Sequence, residues 1–314
     1  MTKIPYCSIL LLLMLLAVSC SKEISQTPAA VKDYKQQVQF LTDQRAAFEQ
    51  QNDLPAFLSY YTDQAISMPE YQPALTGRAE IELFYRELFA RQDVQEFHKE
   101  IEEIFPMDNT LVEIGTFRKS YYDPEVGDTL LSQYGKYWTV WEIPADGQLK
   151  IKGEAYGFFQ HLDHPERLIL PWEQMPENRM QADPDQQITL ELKAYNSLQE
   201  KYVTSRDGPA RSAFYAPDAR FMPFAEPTVS GAGIRPYLVE YNNRGQITID
   251  SIAVYTYHYE DFGEHLLEYY KFWVNWSNPD VSGKTWGKGI RLWKEQEDGA
   301  LKIFRAISTH NLLP

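Results

Sequence analysis

Side chains that could do chemistry are present in this chain, but few stand at the spacing their chemistry needs. His161 and His164, at i and i+3 in His-Leu-Asp-His, would offer a metal two imidazoles. No third or fourth ligand follows at zinc spacing, so no metal site is expected. Ser282 to Thr285 reads Ser-Gly-Lys-Thr like the end of a phosphate-binding loop, but Asn278 stands where the loop needs its first glycine. Carboxylates offer more: Glu113, Glu154 and Glu268 fall on expected strands, where burial in an apolar pocket would raise a pKa and suit a general acid or base. Glu70 and Glu226 lie in loops, where a solvated carboxylate is the commoner outcome. His258 alternates with Tyr255, Tyr257 and Tyr259, which puts it on one face of a strand and the tyrosines on the other.

The remaining reactive side chain is a thiol near the N-terminus. Lys3 precedes an unbroken apolar run from Ile9 to Val18, which ends at Ser19-Cys20. This is the pattern of a signal peptide over residues 1–19, and ten apolar residues are about half of the ~20 that a spanning helix needs. Leu16-Ala17-Val18-Ser19-Cys20 resembles a bacterial lipobox, which implies cleavage before Cys20, lipidation of its thiol, and residues 20–30 as a polar tether. The expected location is the bacterial cell envelope, with Ser21 implying the outer membrane. Cys7 leaves with the signal, so the mature chain has no disulfide.

The chain has 314 residues and a formal net charge of −14, which provides no basic face for phosphate backbones and makes nucleic acid an unsuitable partner. Two domains of ordinary size fit this length, and an internal repeat supports them. Placing residues 53–77 on 207–231 without gaps matches Asp53/Asp207, Ala56/Ala210, Tyr61/Tyr215, Ala65/Ala219, Met68/Met222, Pro69/Pro223, Pro73/Pro227 and Gly77/Gly231. Further on, residues 135–151 match 287–303 through Gly135/Gly287, Lys136/Lys288, Trp141/Trp293 and the pair Asp-Gly before each Leu-Lys-Ile. The repeat predicts domains at 31–163 and 188–314, joined by a Pro-rich linker at 164–187 whose Leu168-Ile169-Leu170 and Trp172 would pack on a domain.

Within copy one, helical spacing covers Val38 to Phe48, and a short helix is expected from Leu54 after Asn52-Asp53. A third helix follows, with Ile81, Phe84 and Leu88 on one side. Strands are expected at about 111–121, 134–143 and 149–159, and in copy two near 247–259, 266–276, 286–295 and 301–309. Helices followed by an antiparallel meander define an α+β domain.

The phrases "DLPAFLSYYTDQAISMPEYQPALTGRAEI", "GKYWTVW" and "DGQLKI", with their counterparts in copy two, resemble the nuclear transport factor 2-like superfamily, which includes the ketosteroid isomerases and SnoaL-like cyclases. The resemblance implies two tandem cone-shaped domains, each a curved antiparallel sheet wrapped by N-terminal helices, with an apolar pocket at the mouth. It also places the isomerases' catalytic aspartate near Met68 and Met222, which cannot transfer a proton. Their oxyanion-hole tyrosine falls near Gln44 or Arg45 and near Leu198 or Gln199. The expected function is therefore binding of a small apolar or aromatic molecule, with Tyr61, Met68, Trp138, Tyr215, Met222, His258 and Trp273 as candidate contacts. No cofactor is implied. The alternatives are an enzyme of isomerase, cyclase or hydrolase type that uses a non-standard carboxylate, and a protein interaction module whose two domains pack on each other.

Overall fold

The computed structural model describes residues 28–170 and 188–311. Cys20, the signal segment, Trp172 and the linker from 171 to 187 lie outside the described residues. The first domain runs α1 (Pro28–Gln50), α2 (Leu54–Leu58), β1 (Tyr61–Pro69), β2 (Leu75–Thr76), α3 (Arg78–Arg91), β3 (Asp93–Met107), β4 (Thr110–Asp123), β5 (Gly127–Glu142) and β6 (Lys150–Phe158). The second repeats the order as α4 (Leu190–Thr204), α5 (Gly208–Ser212), β7 (Tyr215–Met222), β8 (Val229–Ser230), α6 (Ile234–Asn243), β9 (Thr248–Asp261), β10 (His265–Ser277), β11 (Ser282–Glu295) and β12 (Leu301–Asn311). Since α1 begins at Pro28, the last three residues of the expected tether are already helical.

The repeated phrases recur because each sets the same local geometry. Asp53 and Asp207 cap α2 and α5 by accepting from the amides of Ala56 at 3.1 Å and Ala210 at 2.8 Å, and each helix has proline in its first turn. Gly77 leads into α3 with φ at 80°, a conformation open to glycine and costly for other residues. Gly231, with φ at 51°, opens a short 3-10 turn, and α6 starts three residues later.

The strands form two six-stranded curved sheets in the same order, β2-β1-β6-β5-β4-β3 and β8-β7-β12-β11-β10-β9. Two expectations need correction. The sheets are mixed, because β1 runs parallel to β6 and β7 parallel to β12. Copy one also has a fourth long strand, β3, whose register is interrupted between Val94 and Glu96 and between Ile101 and Glu103. Those irregularities break the alternation by which a strand is recognised.

Registers define which side chains share a face. Across the first sheet Met68, Ala155, Trp138 and Ile114 form one row, and across the second Met222, Ile307, Ile290 and Tyr269 form the equivalent row. Both rows point away from the helices and join a single apolar cluster with Val112, Val140, Leu267, Leu292 and Phe304. The sheets therefore lie back to back, with helices on the outside. The approach is close: a Cβ on Gly153 would lie 2.1 Å from the Tyr269 hydroxyl. Around this layer Arg305 meets Glu103 at 2.6 Å, Arg220 meets Glu103 at 3.0 Å and Lys152 meets Glu260 at 2.5 Å. The other two cores lie on the helix side of each sheet, and Leu168 and Leu170, in the first part of the expected linker, are buried in the first of them.

Candidate functional site

One residue along each strand from the shared layer, the inner row of the first sheet reads Ser67, Glu154, Thr139, Glu113. The second sheet has Phe221, Ala306, Arg291, Glu268 at the same places. These rows floor the two hollows beneath the helices.

In the first domain the hollow is filled with paired charges. Arg45 on α1 reaches Glu154 at 2.8 Å and also bonds the Tyr61 hydroxyl. Tyr61 and Ser67 donate to Glu154 at 2.7 Å each, and Tyr85 at 3.0 Å. Burial pushes the Glu154 carboxyl up, but the Arg45 charge and the Tyr61 and Ser67 hydrogen bonds outweigh it, so its pKa lies below the ordinary value. Glu113 accepts from Tyr137 at 2.6 Å, Trp141 at 2.7 Å and Thr42 at 3.1 Å. Lys119 reaches Glu49 at 2.6 Å. Lys99 sits over the Tyr137 ring at 3.8 Å, and burial lowers its pKa to about 8. The free space left is about 60 Å³, room for a few waters.

The second domain removes most of that filling. Registers equate Lys99 with Val254 and Lys119 with Val274, since each pair faces corresponding positions of the adjacent strands. The repeat offset equates Arg45 with Gln199 and Glu49 with Val203. Even the tyrosine over a glycine is exchanged: Tyr137 of β5 covers Gly115 of β4, whereas Tyr270 of β10 covers Gly289 of β11. The result is a cavity of about 460 Å³, whose walls include Tyr215, Phe221, Tyr237, Tyr270, Phe272 and Trp276. Glu268 stays in place without lining it, held by Thr256 at 2.7 Å, Trp293 at 2.9 Å and Arg291 at 3.2 Å. Arg291 in turn stacks on Tyr270 at 3.6 Å. His310 lies parallel to Phe224 at 4.2 Å, and burial lowers its pKa to about 3, which keeps it neutral.

Of the candidate ligand contacts, Tyr215 lines this cavity. Met68 and Met222 lie in the layer between the sheets, one residue out of phase with the inner row, and Trp138 is buried in the same layer while also bordering the small hollow of the first domain. Tyr61 belongs to the Glu154 network. Trp273 is out of phase with the cavity residues Phe272 and Val274, and its indole donates to the Tyr255 hydroxyl at 3.3 Å. His258 borders a polar groove between the domains with Lys152, Tyr257 and Tyr269, and lies 4.0 Å from Glu260. Sequence reasoning missed Arg211, Arg244 and Arg291. A signal existed for the last, since the alignment of the two copies sets Arg291 against Thr139. Glu70 and Glu226 are not loose loop carboxylates: Glu70 is buried and accepts from the Phe158 amide at 3.1 Å, and Glu226 pairs with Arg244. Among the described residues no group of three or more His, Cys, Asp or Glu is placed to hold a metal ion.

No family model matches the sequence, and no curated protein matches it. Solved structures do resemble parts of it. A ketosteroid isomerase-like protein from Erwinia carotovora atroseptica is 16% identical, with 44% of this chain and 99% of that one covered and a TM-score of 0.36. An NTF2-like protein from Cytophaga hutchinsonii is 12% identical over 39% of this chain and 99% of its own, with a TM-score of 0.32. An NTF2-like superfamily protein from Salmonella enterica is 13% identical over 40% and 92%, with a TM-score of 0.35. Each match spans about one domain's length of this chain. The repeated strand order carries the assignment of two like α+β domains.

Proposed function

We propose that this is a binding protein of the bacterial cell envelope, tethered through a lipid on Cys20, whose second domain takes up one small apolar or aromatic molecule. The observation that carries the reading is the cavity of about 460 Å³ in the second domain against about 60 Å³ in the first, since small-molecule sites run to roughly 300–1,000 Å³ and are mostly apolar. A catalytic carboxylate fits less well. Glu113 and Glu268 each accept from three side chains and Glu154 from four, and none of the three lines the large cavity.

Native mass spectrometry of the chain from Ser21 onward tests the binding reading. The expected result is a retained small molecule, or capture of an added apolar fluorophore, that disappears in Val254→Trp, where the larger ring occupies the space. Equal capture by Val254→Trp and wild type would overturn the assignment to this cavity. The anchor is tested separately: Cys20→Ser is expected to remain unprocessed or to leave the membrane fraction, and unchanged mass and fractionation would refute lipidation.

A further inference from the structure

The cavity of the second domain is lined by Arg206, Arg211, Arg244 and Arg291, with no aspartate or glutamate in its wall among the described residues. Two of these cations are already neutralised. Arg291 is paired with Glu268, and Arg244 with Glu226 and Glu240. Arg211, near the end of α5, is different. The acceptor it reaches is a neutral amide oxygen, Oδ1 of Asn242 on α6 at 3.2 Å. Its Nε is buried without a partner, and so is Nδ2 of Asn242. Two adjoining side chains on the wall of one cavity thus each present a buried N–H donor with nothing to accept it, a condition that folded proteins rarely leave in place.

The surroundings favour an anion as the missing acceptor. Burial raises the pKa values of Tyr215, Tyr237 and Tyr241, while the nearby Arg211 charge opposes the rise in each. All three therefore remain neutral phenols beside Arg211, and the other guanidinium over Tyr237 and Tyr241, Arg244, already has Glu226 as its carboxylate. A guanidinium and an amide side by side offer the donors that a carboxylate or similar oxyanion accepts. Beyond them the wall is apolar, through Phe221, Ile252, Val254, Phe272 and Trp276.

We propose that the ligand of the second domain is amphipathic: an aromatic or aliphatic body ending in an oxyanion, seated with its charged end on Arg211 and Asn242 and its body against β9, β10 and β11. This deepens the binding reading above and rests on it. The test uses two fluorophores with the same ring system, anilinonaphthalene sulfonate and phenylnaphthylamine, which differ by the sulfonate. The chain from Ser21 onward, which keeps every described residue, is expected to bind the sulfonate about tenfold more tightly than the neutral dye, as one charge-assisted contact would give. Arg211→Gln and Asn242→Leu are each expected to remove most of that preference while leaving the neutral dye's affinity within about twofold, which also reports that the cavity is intact. Arg211→Lys is expected to restore part of it. Equal binding of both dyes, insensitive to Arg211→Gln, would overturn the anion inference and leave the binding reading standing. Binding of neither dye would overturn both.

Discussion

The inner rows of the two sheets use equivalent positions in opposite ways. In the first domain Glu154 stands on β6 and its countercharge comes from α1, as Arg45. In the second domain that carboxylate is Ala306, the arginine has moved to β11 as Arg291, and its partner is Glu268 on β10. Moving the pair from the helix–sheet gap into the sheet opens the space above it. The cavity therefore arises without a change of fold, through substitution of long charged side chains by Gln199, Val203, Val254, Val274 and Ala306. One copy carries buried ion pairs where the other carries a void, so the two should answer differently to the same kind of substitution.

The largest difference is expected at the first helix of each domain. Arg45→Met would leave Glu154 buried with its countercharge gone, and breaking a buried pair from one side costs about 3–5 kcal/mol. Gln199→Met at the equivalent place removes no charge and adds apolar contact, and is expected to cost less than about 1 kcal/mol. Denaturant melts of both variants measure this. Equal losses would mean that the two hollows are energetically alike, whatever their contents.

The next difference depends on pH. Lys99 has a folded-state pKa of about 8, below its ordinary 10.5, and burial is the main cause. Between those values the unfolded chain holds more protons than the folded one, so this group's contribution to stability rises with pH across that window. Below pH 8 the cost of burying the charge is fully present, and 2.5 pKa units correspond to on the order of 3 kcal/mol. Lys99→Met, which imitates the valine of the second copy, is therefore expected to stabilise the protein at pH 7 and to lose that advantage as pH approaches 10.5. Lys136, lowered to about 8 in the layer between the domains, contributes with the same sign, so the informative quantity is the difference between variant and wild type. A difference independent of pH would show that Lys99 is hydrated in the folded state.

How much of this was legible in the sequence depends on what each residue answers to. Asp53, Asp207, Gly77 and Gly231 act within a few residues of themselves, and their repetition announced two copies of one α+β domain. β3 has no clean alternation to show, because its register is interrupted twice, although the aligned strand of the second copy could have revealed it. The site was less legible for a different reason. Met68, Met222 and Trp138 are apolar because another sheet covers them, and a sequence does not say whether an apolar face meets a ligand or a second layer of protein. In β10 the structure sends Tyr269 and Trp273 one way and Tyr270, Phe272 and Trp276 the other, and only the second set lines the cavity. The charges that fill the first hollow come from α1, β3, β4 and β6, and their meeting is a property of the assembled fold alone.

The smallest expected effect sharpens the comparison by removing the cavity from it. Asp53 and Asp207 cap equivalent short helices through equivalent bonds, and both Asn52 and Arg206, just before them, have positive φ near 58° and 57°. Asp53→Ala and Asp207→Ala are thus expected to cost about 1 kcal/mol each, the usual worth of an N-cap, with no dependence on how either hollow is filled. Dye binding separates them. Arg211 lies on the capped helix, and its amide donates to the Asp207 carbonyl at 2.9 Å, so loosening that turn should displace the guanidinium. Asp207→Ala is expected to weaken anilinonaphthalene sulfonate several-fold, and Asp53→Ala to leave it unchanged. If both caps cost the same stability and neither affects the sulfonate, α5 does not position the charged end of the site, and Asn242 and Arg206 on the neighbouring segments become the groups to vary.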